Sequence, residues 1–370
     1  MKILHINRNY VDTQLHQLMV EELDKIGYSN HVFVPRYHNE GACVTPDANV
    51  CVCQCFKKWH RFLYWYKQKR ILHAAEASFN VNEYDLIHAY TLFTDGNCAR
   101  ELSKKYNVPY VVAVRNTDVN DFFRLMPHLR NRGIKIMLDA TAVFFLSESY
   151  REQVFDKYVP KKYKDELFAK THIIPNGIND FWFENKYEYL KTPSENELNL
   201  IYAGRIDKNK NIPTTQKALA ILKNKGYSVH LTLVGKIDDI REYEKIIEDG
   251  NTTYFPPVSK EKLIDYYRKA HIFVMPSYTE SFGLVYVEAM SQALPVIYSK
   301  GQGFDGQFAE GVAGYGVISS SPESVADGIC KILDNYEKIS SAAPDNISRF
   351  KWSEIVKTYD KVYTQINGRG

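Results

Sequence analysis

A chain of 370 residues with 45% hydrophobic and 25% charged residues has the make-up of a globular protein of two domains, and excludes a fibrous, disordered or disulfide-stapled one. A net charge of +3 is too mild to call for nucleic acid, and no apolar run is long enough to span a bilayer. The six cysteines show no zinc-type spacing: Cys51, Cys53 and Cys55 alternate along one strand face, and Cys43, Cys98 and Cys330 are scattered, so no metal is expected.

In the first half, apolar runs at 2–6, 29–34, 50–53, 86–88, 110–114, 142–146 and 172–174 predict strands, with helical spacing between them, as at 14–26 and 94–106. This alternation predicts a parallel sheet covered on both faces, with ligands beyond the strands' carboxyl ends. The chain starts on a strand pattern and not a signal segment, so the expected compartment is the cytoplasm. Arg8 follows the first strand, where it either reaches a phosphate or is solvated. Residues 56–70 read FKKWHRFLYWYKQKR, with six Lys/Arg, no acid and interleaved aromatics. That predicts a helix with a basic outer face and an aromatic core side, or a peripheral contact from Phe56 to Arg70 with an anionic membrane. His88 ends a strand and reads as a structural hydrogen-bonder. After the strand at 110–114 come Arg115 and Asp118: Asp118 either positions and deprotonates a hydroxyl, or it or Asp121 caps a helix starting near Phe122.

A charged stretch at 184–197 reads as a linker, punctuated by Pro175, Gly177 and Pro193. Strands are predicted again at 198–202, 229–234, 253–255, 272–275, 296–298 and 316–318, and the segment 352–366 has helical spacing. Two stretches here read as strand, turn and helix. In GRIDKNKN, Gly204, Arg205 and Lys210 sit where a strand's carboxyl end opens; Arg offers a fork and Lys a point charge to phosphate oxygens. In ESFGLVYVE, Glu280 lies in the turn, Ser281, Phe282, Gly283 and Leu284 at the helix entrance, and Glu288 about two turns further on. A helix entrance favours an anion, and ionised carboxylates accept from hydroxyls. The glycine-rich loop 300–306 either touches a ligand or is a plain turn.

Together these motifs resemble the family 4 nucleotide-sugar glycosyltransferases, which carry Gly-Arg-Leu-x-x-x-Lys-Gly and Glu-x-x-x-x-x-x-x-Glu. Asn211 stands here for the final Gly of the first motif, and a third family feature appears as Ile174-Pro175-Asn176-Gly177-Ile178. The resemblance implies a GT-B fold of the α/β class: two doubly wound Rossmann-like domains facing a cleft. Residues 1–178 form the acceptor domain, 179–349 the donor domain, and a last helix at 350–370 crosses back to the first. It implies retaining transfer from a nucleotide-diphosphate sugar, UDP preferred, to a glycan or lipid-linked hydroxyl. Such transfer serves bacterial-type cell-surface polysaccharide or glycoconjugate synthesis. No metal or cofactor takes part, because the nucleotide sugar is a co-substrate. Glu280, Arg205, Lys210 and Asp118 are the implied catalytic residues. Gly204, Ser281, Phe282, Gly283, Leu284, Glu288, Arg115, Gly235 and Val258 are the implied donor contacts, Gly235 as a nucleotide wall and Val258 in the base-binding loop. The Gly-Gly loop and the sugar-contacting His of many relatives are missing from the first half, and Arg115 and Asp118 stand in for the His. A sugar-nucleotide epimerase of the same architecture, or a non-catalytic donor-binding partner of another transferase, are the alternatives.

Overall fold

The computed structural model describes residues 1–38, 49–189, 192–193 and 197–368; Cys43 and residues 190, 191 and 194–196 of the expected linker lie outside these. Two compact units divide the chain. The first takes Met1–Leu146, Tyr150–Gly177 and the chain from Trp352 onward, the second Ser147–Ser149 and Ile178–Lys351.

In the first unit β1 (Lys2–Ile6), β2 (Ser29–Tyr37), β3 (Val50–Phe56), β4 (Leu86–Ala89), β5 (Tyr110–Val114), β6 (Ala142–Phe145) and β7 (Thr171–Ile173) form one parallel sheet, ordered β3-β2-β1-β4-β5-β6-β7. Side chains alternate across a strand, and here both sets are apolar. Leu4, Ile87, Val112 and Val143 enter one core layer; Ile3, Leu86, Val111 and Phe144 enter the other. That second layer is filled by Trp352, Ile355, Val356, Tyr359, Val362 and Tyr363 from the helix Trp352–Asn367, which explains their helical spacing.

The second unit repeats the scheme with β8 (Glu197–Ala203), β9 (Ser228–Val234), β10 (Thr252–Phe255), β11 (Ile272–Val274), β12 (Val296–Ser299) and β13 (Gly314–Val317), all parallel, ordered β10-β9-β8-β11-β12-β13. The strand order reverses between β1 and β4 in one sheet and between β8 and β11 in the other. Carboxyl ends flanking such a reversal leave a crevice where ligands bind.

Two local expectations are corrected. β2 runs on through Pro35 to Tyr37; β1 stops opposite Phe33, so no β1 carbonyl looks for an N–H at Pro35. The basic aromatic stretch is not one helix. Phe56 ends β3, Lys58–Phe62 is a 3-10 turn, and Leu63 leaves helical angles (φ −117°, ψ 69°) before the helix Tyr64–Ser78 begins. No helix among the described residues is long and apolar enough to cross a membrane.

Candidate active site

β8 ends at Ala203 and the chain turns through Gly204 and Arg205. The Asp207 carboxylate then accepts the Lys210 N–H (3.2 Å) and caps a single 3-10 turn, Lys208–Lys210. Asn211 follows in the left-handed region (φ +56°) and starts the helix Ile212–Asn224. Glycine fills such a position without strain, and asparagine is the next most tolerant residue. The departure from the family motif is therefore a substitution the backbone accepts. Asparagine adds bonds that glycine lacks: its Nδ2 donates to the carbonyls of Pro276 (3.0 Å) and Ser319, and its Oδ1 accepts from the Thr214 hydroxyl (2.7 Å).

Asn209 makes the second tie. Its Nδ2 donates to the Thr279 carbonyl (2.8 Å), its Oδ1 accepts from the Thr279 N–H (3.0 Å) and hydroxyl (2.8 Å), and its carbonyl accepts the Tyr278 N–H (2.9 Å). The loops after β8 and β11 are thus stitched together at the point where the strand order reverses.

That stitching sets Lys210 against Glu280, Nζ to Oε2 2.6 Å, with side chains 14% and 12% exposed. Glu280 Oε1 accepts the Ser281 N–H (3.1 Å), the Glu280 N–H donates to Gln302 Oε1 (2.9 Å), and the Glu280 carbonyl accepts the Gly303 N–H (2.9 Å). The glycine-rich loop 300–306 earns its composition here: a Cβ on Gly303 would stand 1.8 Å from the Ser281 carbonyl oxygen. The helix Leu284–Ser291 begins at Gly283, which offers its N–H groups no capping side chain.

Arg205 stands apart from this pair. Its side chain is 67% exposed, and Nη1 lies 3.3 Å from Asp238 Oδ2. Lys236 also reaches Asp238 (3.1 Å), and its hydrogen bond is the chief reason the Asp238 carboxyl lies below its ordinary range. The two predicted phosphate cations are each held by a different carboxylate. Gly204 and Gly235 meet where β8 and β9 end; a Cβ on Gly235 would fall 1.7 Å from the Gly204 carbonyl oxygen, so no larger residue fits. Phe282 is buried, its ring packed toward Phe350 (5.7 Å) and Phe304 (6.3 Å), so its side chain belongs to the core and is not a contact for a ligand. Ser281, Leu284 and Val258 are half-buried, Val258 in the loop before the helix Lys260–Lys269.

Glu288 lies elsewhere on the helix Leu284–Ser291. Burial pushes its carboxyl up to about 7, against the charge of Lys260 and the indole N–H of Trp182. Trp182 sits in the short helix Phe181–Glu184, where the stretch expected as a linker begins; its apolar bulk is the signal the sequence offers.

In the first unit the reading of Asp118 as a base is corrected. The residue is buried, Oδ2 accepts the N–H groups of Leu92 and Arg115 (both 2.9 Å), and Oδ1 accepts that of Phe93 (3.2 Å). A carboxylate so engaged orders two loops and has little left for an acceptor hydroxyl. Burial pushes it up to about 6 against those three bonds. Nor does it cap a helix: residues Asp118–Phe123 form a π-helical turn whose N-cap, Thr117, makes no side-chain bond. Arg115 donates from Nη1 to Asn176 Oδ1 (3.1 Å) and from Nε to the Tyr90 carbonyl (3.3 Å), and so ties the Ile-Pro-Asn-Gly-Ile motif to the loop after β4. His88 is a buried structural residue, with Nδ1 2.7 Å from the Tyr363 hydroxyl. Among the described residues no group of three or more His, Cys, Asp and Glu is placed to hold a metal ion.

The family model described as glycosyltransferase family 4 matches residues 17–180, and that described as glycosyl transferases group 1 matches residues 189–346. A D-inositol 3-phosphate glycosyltransferase of Nocardiopsis dassonvillei is 26% identical over 317 residues, 78% of this chain and 72% of the relative. Among solved structures, sucrose-phosphate synthase from Thermosynechococcus elongatus superposes with a TM-score of 0.78 at 21% identity over 100% of both chains. Anabaena Alr3699/HepE, in complex with UDP and glucose, does so with 0.68 at 17% over 99% of this chain and 100% of its own. With both motifs meeting at the strand reversal of the second unit, the chain belongs to the family 4 glycosyltransferases of GT-B fold.

Proposed function

We propose that the chain moves a sugar from a nucleotide-diphosphate donor, a UDP-sugar, to a hydroxyl of a glycan or lipid-linked acceptor, with retention of configuration and without a metal. The observation that carries this reading is the Lys210–Glu280 ion pair beside an uncapped helix start, at the reversal between β8 and β11. A diphosphate arriving there offers Lys210 a stronger partner than one carboxylate. The ammonium then turns to phosphate, and Glu280 is released to accept the sugar's hydroxyls. Arg205 leaves an exposed partner at little cost and adds its fork to the same oxygens. Two cations and a helix start aimed at charge that grows on the departing diphosphate stabilise the transition state more than the ground state. Gly204, Gly235 and Val258 border the nucleotide in this reading, and Glu288 accepts from the ribose. The UDP in the Anabaena structure supports the choice of base. A thermal-shift panel of UDP-, ADP- and GDP-sugars tests the proposal. UDP-sugars should raise the melting temperature of the wild type and not of Lys210→Ala; a panel without effect on the wild type sinks it.

The surface around the turn Lys58–Phe62 supports a peripheral membrane contact. Trp59, Phe62, Leu63, Trp65 and Tyr66 are all exposed, Phe62 to 75%, and Lys57, Lys58, Lys69 and Arg70 are exposed around them. Aromatic side chains settle at the headgroup boundary while the cations meet anionic lipid. A lipid-linked acceptor would be met at that surface.

A further inference from the structure

The helix Tyr64–Ser78 exposes the wrong residues for its chemistry: Trp65 and Tyr66 face outward, whereas Lys67 and Gln68 are buried. Gln68 is accounted for, since its Nε2 donates to the Phe93 carbonyl (3.3 Å) and its Oε1 accepts from Asn97 (3.0 Å). Lys67 is not. It is only 8% exposed, yet among the described residues its ammonium makes no hydrogen bond and no ion pair; Nζ lies 4.8 Å above the Phe56 ring.

The Phe56 ring packs edge-on against the Tyr37 ring (4.6 Å, 69°), and the Arg8 guanidinium lies 4.6 Å over Tyr37. Arg8 follows β1, Tyr37 ends β2 and Phe56 ends β3, so two cations are mounted on two touching rings at the carboxyl edge of the sheet. Asp95, which opens the helix Asp95–Tyr106 after β4, is fully buried; Oδ2 accepts the Thr91 hydroxyl (2.9 Å), and Oδ1 has no hydrogen-bond partner among the described residues. Burial, helped by Arg8, pushes the Lys67 amine down to about 8, and burial pushes the Asp95 carboxyl up to about 7. In return Lys67 has only the Phe56 ring face, and Asp95 only the Thr91 hydroxyl on one of its two oxygens. Buried charge without a partner is costly, and its persistence points to a ligand that supplies one.

We propose that Arg8 and Lys67 form an anion subsite in the first unit that takes a phosphate group carried by the acceptor, with Asp95 accepting a hydroxyl of the same molecule. This rests on the glycosyl-transfer reading, and names the acceptor class as a phosphorylated polyol. The phosphate arrives on a soluble sugar or on a lipid headgroup, and the recognition chemistry is the same.

The test uses the full chain, titrated with inorganic phosphate, with glucose 6-phosphate beside glucose, and with vesicles of zwitterionic lipid doped with phosphatidylinositol beside the same vesicles without it. Wild type should bind the phosphorylated probe at least tenfold more tightly than the unphosphorylated one. Lys67→Met keeps the stem over Phe56, removes the charge and should lose that preference. Its ligand-free melting temperature should equal or exceed wild type, because no ion pair is broken. Arg8→Gln should lose part of the preference, and Lys67→Arg should restore most of it if Lys67→Met proves unstable. A Lys67-dependent response to glucose 6-phosphate assigns a soluble acceptor; a Lys67-dependent response to the phosphatidylinositol vesicles alone assigns a lipid one. Absence of any Lys67-dependent phosphate binding overturns the subsite. Donor binding is read separately: a UDP-sugar shift that survives in Lys67→Met keeps the two outcomes distinct. Phosphate binding without any UDP-sugar shift leaves the subsite standing and removes the transfer reading.

Discussion

Lys210 Nζ stands 2.6 Å from Glu280 Oε2 with both side chains nearly covered, so in the ligand-free protein each is the other's counter-ion. Removing one leaves the other charged and short of solvent, which is worse than removing both. Lys210→Met and Glu280→Gln should each lower unfolding free energy by about 2 kcal/mol, and the double variant should recover most of that loss. Turnover should behave differently. Lys210→Met should cut it by about 100- to 1000-fold, and the double variant should not recover it, since the diphosphate still lacks its cation. Urea unfolding and initial rates on the four proteins check this. Turnover of Lys210→Met within a few-fold of wild type removes the clamp.

Asn211 couples an unusual backbone angle to three side-chain bonds, and two substitutions separate these contributions. Asn211→Gly keeps φ +56° without strain and loses the bonds to Pro276, Ser319 and Thr214, for a loss of about 1–2 kcal/mol. Asn211→Ala loses the bonds and adds the left-handed penalty of about 1 kcal/mol. Chemical denaturation should therefore rank the proteins wild type, Gly, Ala. Equal stability of the Gly and Ala variants would show that the backbone relaxes away from the left-handed angle.

Glu288 sets a pH dependence. Its folded value of about 7 lies above the ordinary 4.5, so between these limits the folded chain holds a proton that the unfolded chain releases. The stability this carboxyl contributes is whole below pH 4.5 and is lost as the pH rises through 7. Glu288→Gln has no such dependence. Its stability relative to wild type should climb across this window and level off about 2 kcal/mol higher, after allowance for solvent reaching the group. In the same variant UDP should bind about tenfold more weakly, because a neutral amide is a poorer acceptor for ribose hydroxyls. A flat difference across pH would place Glu288 in contact with water and end the argument.

The strand–helix alternation and both second-half motifs were legible because they are local: an apolar run, a turn and a helical repeat lie within about 20 residues of one another. Asn209 was invisible because its partners, Tyr278 and Thr279, come from a loop about 70 positions away, and nothing in a polar loop announces such a tie. Asp118 was misread for the same reason. A carboxylate beside a strand end looks like a base until the three N–H groups it satisfies are seen, two of them from the loop after β4. Lys67 was counted as one basic residue of a solvated face. In the helix that begins after Leu63, Lys67 and Gln68 share a face with the buried Ile71, Ala74 and Ala75, which leaves Trp65 and Tyr66 on the outer side.

That inversion makes the membrane proposal testable by its aromatic and basic parts separately. Trp59, Phe62 and Trp65 supply exposed apolar area, and Lys57, Lys58, Lys69 and Arg70 supply charge. If both act, the protein should float with anionic vesicles at low salt and much less at 0.5 M salt or so, because surface charge is screened within a few ångströms there. Phe62→Ser with Trp65→Ser should weaken flotation at every salt concentration, since insertion does not depend on screening. Lys57→Gln with Lys58→Gln should weaken it only at low salt, by about thirtyfold for two charges near the surface. All four positions are exposed, so the melting temperature should stay within a degree or two of wild type. Wild type that stays with the soluble fraction at low salt ends the membrane reading and leaves the aromatic surface to some other partner.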